Sequence, residues 1–195
     1  MAQQVPSAPV TYAEYLAAEV KSDVRHEYLN GAVWAMTGGT TEHGALAAAF
    51  MRELGEALRG KPCRVYSSDV RVRVLATGLA TYPDISVVCG RLETAPDDPD
   101  AIVNPVVLVE VLSDTTEGYD RGAKAAHYRR IPSLREYVLV SQREPLVEVQ
   151  RRAEGGRWEL LEARAGEAIE LGSLGVSLAV SAVYANPLGP AGESS

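Results

Sequence analysis

The chain has 195 residues, 46% of them hydrophobic and 23% charged, with a formal net charge of −7. This is the balance of one globular domain and not of a fibrous or disordered chain, and the negative total counts against a protein that coats nucleic acid through bulk electrostatics. No basic region followed by an apolar run opens the chain, and the apolar stretch 102–112 is broken by Asn104, Pro105 and Glu110 and is too short to cross a bilayer, so a soluble, cytoplasmic protein without a membrane partner is expected.

Residues 1–9 and 186–195 are rich in small, polar and proline residues and read as flexible tails around a single domain at 10–185. Thr11 and Glu14 form a capping-box pattern that opens a helix running to about Val20. Two strands, 26–29 and 32–37, flank Asn30-Gly31, whose residue types accept the positive φ of a tight hairpin. Leu46, Phe50, Leu54 and Leu58 form a helical apolar stripe that Gly60 and Pro62 terminate. The pattern then alternates as strands at 63–66 and 70–75, and becomes almost wholly apolar at 85–89 and 106–112, as central strands covered on both faces do. A helix is predicted from about Tyr119 to Arg130, ended by Ile131-Pro132, followed by strands at 135–141, 146–152 and 158–164 and a closing apolar patch at 176–184. Two cysteines, Cys63 and Cys89, are too few for a disulfide framework and read as reduced core thiols. The element order predicts an α/β fold with a mixed β-sheet flanked by helices.

Carboxylates that interrupt strands are the informative feature. Asp84 opens the 85–89 strand, and Glu110 lies inside Val107-Leu108-Val109-Glu110-Val111 with only Leu108 and Leu112 as same-face neighbours. A carboxylate there is costly to bury unless a cation or partner neutralises it. Two such acids on neighbouring strands suit a hard cation, Mg²⁺ or Mn²⁺, that keeps several waters and meets phosphate oxygens. The plainer readings are a buried pair between Glu110 and an arginine, and a strand-opening turn at Pro83-Asp84. Asp120, Lys124 and Tyr128, at four-residue spacing, share one helical face. They are read either as a surface ion pair beside a packed tyrosine or as an electrostatic and phosphate-contacting group.

Pro83-Asp84, then Glu110 on an apolar strand, then a lysine resembles the PD-(D/E)xK nuclease superfamily, and more closely its Uma-type endonuclease family. The matching stretches are 27–31, His43, 82–85, 109–113, the Asp120–Lys124–Tyr128 series and 136–140, spread over 11–184. The resemblance implies a restriction-endonuclease-like core and Mg²⁺-dependent cleavage of DNA, with Asp84 and Glu110 as metal ligands and Lys124 as charge stabiliser. In the wider superfamily the lysine stands two residues after the second acid, where this chain has Leu112; the Uma-type pattern moves it to the following helix. Glu27 is then a third acid of the site, and His43, Tyr128 and Arg121 are candidate substrate contacts. His43 is alternatively a packed, helix-capping residue.

Other chemistries lack their signatures. Gly38-Gly39 does not have phosphate-loop spacing, there is no Gly-x-Ser-x-Gly elbow, and no zinc spacing surrounds His26 or His127. Between Arg121 and Arg152 eight basic residues stand against three acidic ones, a local surplus read either as a solvated face or as a basic groove. A nuclease-fold domain that binds nucleic acid or protein without cutting is the competing function, and a metal-free structural module is the third reading. A homodimer interface is placed on the final strands and the 176–184 patch.

Overall fold

The computed structural model describes residues 9–36 and 38–189; the expected tails lie mostly outside them, as does Thr37. Helix α1 (Tyr12–Glu19) is closed at its start by the reciprocal Thr11–Glu14 capping box. Strands β1 (His26–Leu29) and β2 (Ala32–Ala35) pair across Asn30 and Gly31, at φ 47° and 94°. An alanine Cβ at position 31 would also sit 2.9 Å from the Pro9 side chain, so glycine is required there twice over.

The long helix α2 (Thr41–Ala57) is capped by the Thr40 hydroxyl and buries Leu46, Phe50 and Leu54. Strands β3 (Cys63–Ser67), β4 (Arg71–Val74), β5 (Leu79–Thr81), β6 (Ile85–Cys89), β7 (Thr94–Ala95), β8 (Asp98–Ile102) and β9 (Val107–Val111) follow. The next segment runs α3 (Glu117–Tyr119), a π-helical turn (Asp120–Lys124) and α4 (Ala125–Tyr128). It precedes β10 (Glu136–Val140), β11 (Leu146–Arg152), β12 (Trp158–Arg164), β13 (Ala168–Leu171), β14 (Val176–Ala179) and α5 (Val180–Val183).

The α/β expectation holds, but the strands build two large sheets and not one. The central sheet has the order β12-β11-β10-β9-β6-β3, the second β2-β1-β5-β4-β8-β7, and β13-β14 form a ribbon. In the central sheet β9 and β10 are parallel, and parallel neighbours cannot be joined by a tight turn. The chain therefore crosses over between them, and the crossover is the helical segment 117–128.

Strand alternation divides the core. Val107, Val109, Val111, Val138 and Val140 face α2, α5 and the ribbon. Leu108, Leu112, Tyr137 and Leu139 face the crossover and the second sheet, which adds Val72, Val74, Leu79 and Ile102. Glu110 has the parity of the second face. The apolar 176–184 patch, expected as a dimer surface, spends Leu178, Val180 and Val183 on the α2 side of the core.

The reading of Cys63 and Cys89 as reduced thiols is overturned. They are directly paired residues on antiparallel β3 and β6 and form a disulfide. Separation in sequence hid a pairing that the strand register makes.

Two predictions follow from these contacts. Mass spectrometry after denaturing, non-reducing alkylation should show neither cysteine modified, and both modified once reduced. Asp98 accepts from Arg71 Nε at 2.9 Å and from the Tyr12 hydroxyl at 2.7 Å; burial pushes its carboxyl up, but these partners outweigh it and hold it below the ordinary range. The native state then binds that proton less readily than the unfolded chain, so the stabilisation is complete above about pH 4 and is lost as pH falls through the depressed value. Asp98→Asn should lower the urea midpoint at neutral pH and flatten the loss of stability on acidification.

Candidate active site

The crossover returns Lys124 over the face of β9 that carries Glu110. Its Nζ lies 3.0 Å from Glu110 Oε1, 3.0 Å from Asp120 Oδ1 and 3.6 Å from Glu27 Oε1. The i, i+4, i+8 face of Asp120, Lys124 and Tyr128 is thus turned inward, and the surface-pair reading is replaced by a buried cluster. Glu27, Glu110, Asp120 and Lys124 are each 5% exposed or less. The partner of Glu110 is a lysine and not one of the arginines.

Each member is fixed by contacts from a different element. The Tyr128 hydroxyl donates to Glu110 Oε1 at 2.8 Å. Tyr128 has no exposed surface, so its expected contact with substrate is corrected to a support for Glu110. Glu27 arrives from β1 in the second sheet and accepts from Trp34 Nε1 (3.0 Å), the Tyr119 hydroxyl (2.9 Å) and the Thr81 hydroxyl. The Tyr137 hydroxyl donates to the Asp120 carbonyl at 3.0 Å, holding a carbonyl where the π-helical turn departs from the regular ladder.

Asp84 stands one residue beyond the register that pairs Ile85 with Val109 across β6 and β9, which places it opposite Glu110. Its Oδ2 accepts from the Val111 N–H at 2.7 Å and lies 3.1 Å from His43 Nε2, near the start of α2. His43 therefore holds an acid of the site, and its ring leaves no room for a side chain on the preceding loop: a Cβ at Gly39 would sit 2.6 Å from Nδ1. The hydrogen bond to Asp84 raises the His43 pKa against burial, which lowers it.

Four carboxylates, Glu27, Asp84, Glu110 and Asp120, thus share one ammonium and one imidazole. Burial first, and then the charges of Asp120 and Asp84 working against Lys124, push the Glu110 carboxyl up to about 8. Burial favours the neutral form of Lys124, yet Glu110, Tyr128, Glu27 and Asp120 together hold its proton well above the ordinary lysine range. Neighbouring negative charge raises both groups, adding to burial at Glu110 and opposing it at Lys124.

That negative charge and an all-oxygen donor set at Asp84 and Glu110 fit a hard divalent cation. Among the described residues no three His, Cys, Asp or Glu side chains form a metal-holding group. Beyond the end of β9 a cleft of about 530 Å³ is lined by Gly38, Thr40, Ser113, Arg121, Gln142 and Arg143, among others. Arg121 borders it, with its guanidinium bonded to Glu117 and Glu148. Gln142 ties its walls together, donating to the Leu112 carbonyl at 2.6 Å and accepting from the Thr40 hydroxyl at 2.7 Å.

A family model described as Uma2, putative restriction endonuclease, matches residues 12–181. The chain belongs to the Uma2 family. The uncharacterized protein slr1290 of Synechocystis sp. is 34% identical to it over 182 residues, covering 92% of this chain and 95% of that protein. The uncharacterized protein sll1609 of the same organism is 29% identical over 153 residues, covering 78% and 86%. A crystal structure from Anabaena variabilis, described as a putative nuclease belonging to DUF820, superposes with a TM-score of 0.71 at 17% identity, covering 90% of this chain and 98% of that one. That likeness shows the fold that this Uma2 family member shares. Among the described residues no helix is long and apolar enough to cross a membrane.

Sequence reasoning missed Trp34, Thr81 and Tyr119, which bind Glu27. Thr81 lies on β5, a three-residue strand with no periodicity to find. Tyr137 stood in the recognised 136–140 stretch, but its contact with Asp120 crosses from strand to helix.

Removing the shared cation should be costlier than neutralising one acid. Lys124→Met strands Glu27, Glu110 and Asp120 in a buried setting and should cost about 3–5 kcal/mol by urea unfolding at neutral pH. Glu110→Gln keeps an acceptor for Tyr128 and leaves Lys124 beside Asp120, and should cost clearly less.

Proposed function

We propose that this chain is a divalent-metal-dependent endonuclease that hydrolyses phosphodiester bonds in DNA, acting in the cytoplasm with Mg²⁺ or Mn²⁺. The observation that carries the reading is the contact of Lys124 with Glu110 from the helix after β9, with Asp84 opposite. It supplies an acid–acid–lysine set at one sheet end although the lysine has left its usual place in the strand.

Asp84 and Glu110 would hold the metal. The chemistry a bound divalent ion supplies is polarisation of the phosphoryl group and acidification of water. Lys124, held protonated by its neighbours, stabilises negative charge building on the phosphate and does not act as a base. Glu27 and Asp120 fix the position of that ammonium, Tyr128 orients the Glu110 carboxyl, and His43 orients Asp84. Arg121, which lines the cleft, and His43, which stands against Asp84, are the residues assigned to meet a phosphate. A homodimer would present two such sites to two strands.

One observation favours a second reading, a nuclease-fold domain that binds nucleic acid or protein without cutting: Lys124 and Glu110 are almost wholly enclosed and mutually satisfied. Calorimetric titration of Mn²⁺ into the wild type and into the Asp84→Asn, Glu110→Gln double variant, with plasmid nicking assayed on the same samples, separates the two. Joint loss of metal binding and nicking in the variant is expected. Wild type that binds no metal at millimolar concentration and leaves plasmid intact would leave the non-cutting reading.

A further inference from the structure

Folding sorts the basic residues between Arg121 and Arg152 into those with a carboxylate partner and those without. Arg121, Lys124, Arg143 and Arg151 all have carboxylate partners, from Glu117 and Glu148, the site acids, Asp114 and Glu136 respectively. Arg129, Arg130, Arg135 and Arg152 have none within 4 Å among the described residues, even though Glu154 and Glu159 lie on the neighbouring hairpin. The backbone N–H of Arg135 bonds the Val106 carbonyl just before β9. Four residues of strand separate this end from Glu110, about 13 Å.

The four guanidiniums are not held there by opposite charge. Arg129 and Arg152 sit 5.7 and 5.0 Å from the Trp158 ring centroid, a cation–π arrangement. Arg129 also donates to Gln150 at 2.6 Å, and Arg152 donates to the carbonyls of Arg129 and Ile131, both at 2.8 Å. Burial and the charge of nearby Arg135 lower the Arg152 pKa from the ordinary arginine range. The side chains of Arg130 and Arg135 are exposed and make no hydrogen bond among the described residues. Beside them a cleft of about 610 Å³ is lined by Ser133, Arg135, Arg151, Arg152 and Ser173. The one acid in that cleft, Glu136, is fully engaged by Arg151 and by Gly172 and Ser173.

Like charges gathered without counter-charge, in a chain of net −7, are the arrangement that a polyanion compensates. Planar guanidinium donors beside an indole match phosphate oxygens and flanking bases better than they match dispersed carboxylates. We propose that this end of the sheet is a second, sequence-independent contact for nucleic acid, its phosphates lying against Arg130, Arg135 and Arg152. The naming of the ligand rests on the nuclease reading; the patch itself does not.

The test is fluorescence anisotropy of a fluorescein-labelled DNA strand and its duplex, without divalent ions, over a series of KCl concentrations. It compares the wild type with Arg130→Glu/Arg135→Glu, whose substituted side chains make no contact the fold needs; urea midpoints confirm equal folding. The charge reversal should weaken binding at least about tenfold and reduce the slope of log affinity against log salt by about two. Unchanged affinity and slope would overturn the inference, as would wild type that ignores both DNAs while binding a polyglutamate peptide. If the wild type fails to nick plasmid yet binds DNA through these arginines, the nuclease reading falls and this one stands. If nicking is normal and the reversal is silent, the converse holds.

Discussion

Glu110 is an ionisable group in the middle of an apolar strand, and the interior has to answer its desolvation. The ammonium of Lys124 does so at 3.0 Å, and many other placements follow from that contact. It requires a connection that leaves β9 and passes back over the same sheet face, which the parallel pairing of β9 with β10 imposes. It requires Asp120 one turn earlier and Tyr128 one turn later, and it uses a π-helical turn whose Asp120 carbonyl is held by Tyr137. A buried cation with only one acid could have been replaced by apolar packing at little cost. Three acids within 4 Å of it leave a net charge that packing alone does not explain.

The second sheet bears on the same point. Glu27 belongs to β1, so the site lies at a seam between two sheets and not at the edge of one. Tyr119 from the crossover, Thr81 from β5 and Trp34 from β2 all bond to that single carboxylate. The hairpin at Asn30-Gly31 therefore has a role beyond closing a turn: its register sets the face on which Glu27 emerges.

Long, strongly patterned elements were legible in the sequence: the α2 stripe, the apolar strands 85–89 and 106–112, the Asn30-Gly31 turn and the capping box at Thr11. Glu110 stood out because a charge inside an apolar strand has to be explained, and Asp84 because it opens one; Lys124 came from the Uma-type resemblance, and the roles of all three are proposals. The second sheet was not. β5 and β7 are too short to show a period, and Asp98-Pro99-Asp100 of β8 carries turn residues whose strand geometry comes from pairing with β4 and β7. Pairwise partners that depend on register, such as Cys63 with Cys89 or Tyr137 with Asp120, have no local signature. The direction in which the Asp120–Lys124–Tyr128 face points was open for the same reason, since periodicity defines a face but not what covers it.

The chain has two tryptophans, and the fold puts one at each end of this arrangement. Trp34 gives its indole N–H to Glu27 beside the acid cluster, while Trp158 lies under the guanidiniums of Arg129 and Arg152. Their emission is thus a built-in pair of spatially separate reporters. Each is sensitive to a different charge environment, so a single-tryptophan form of the protein would let either end be followed optically without attaching a dye.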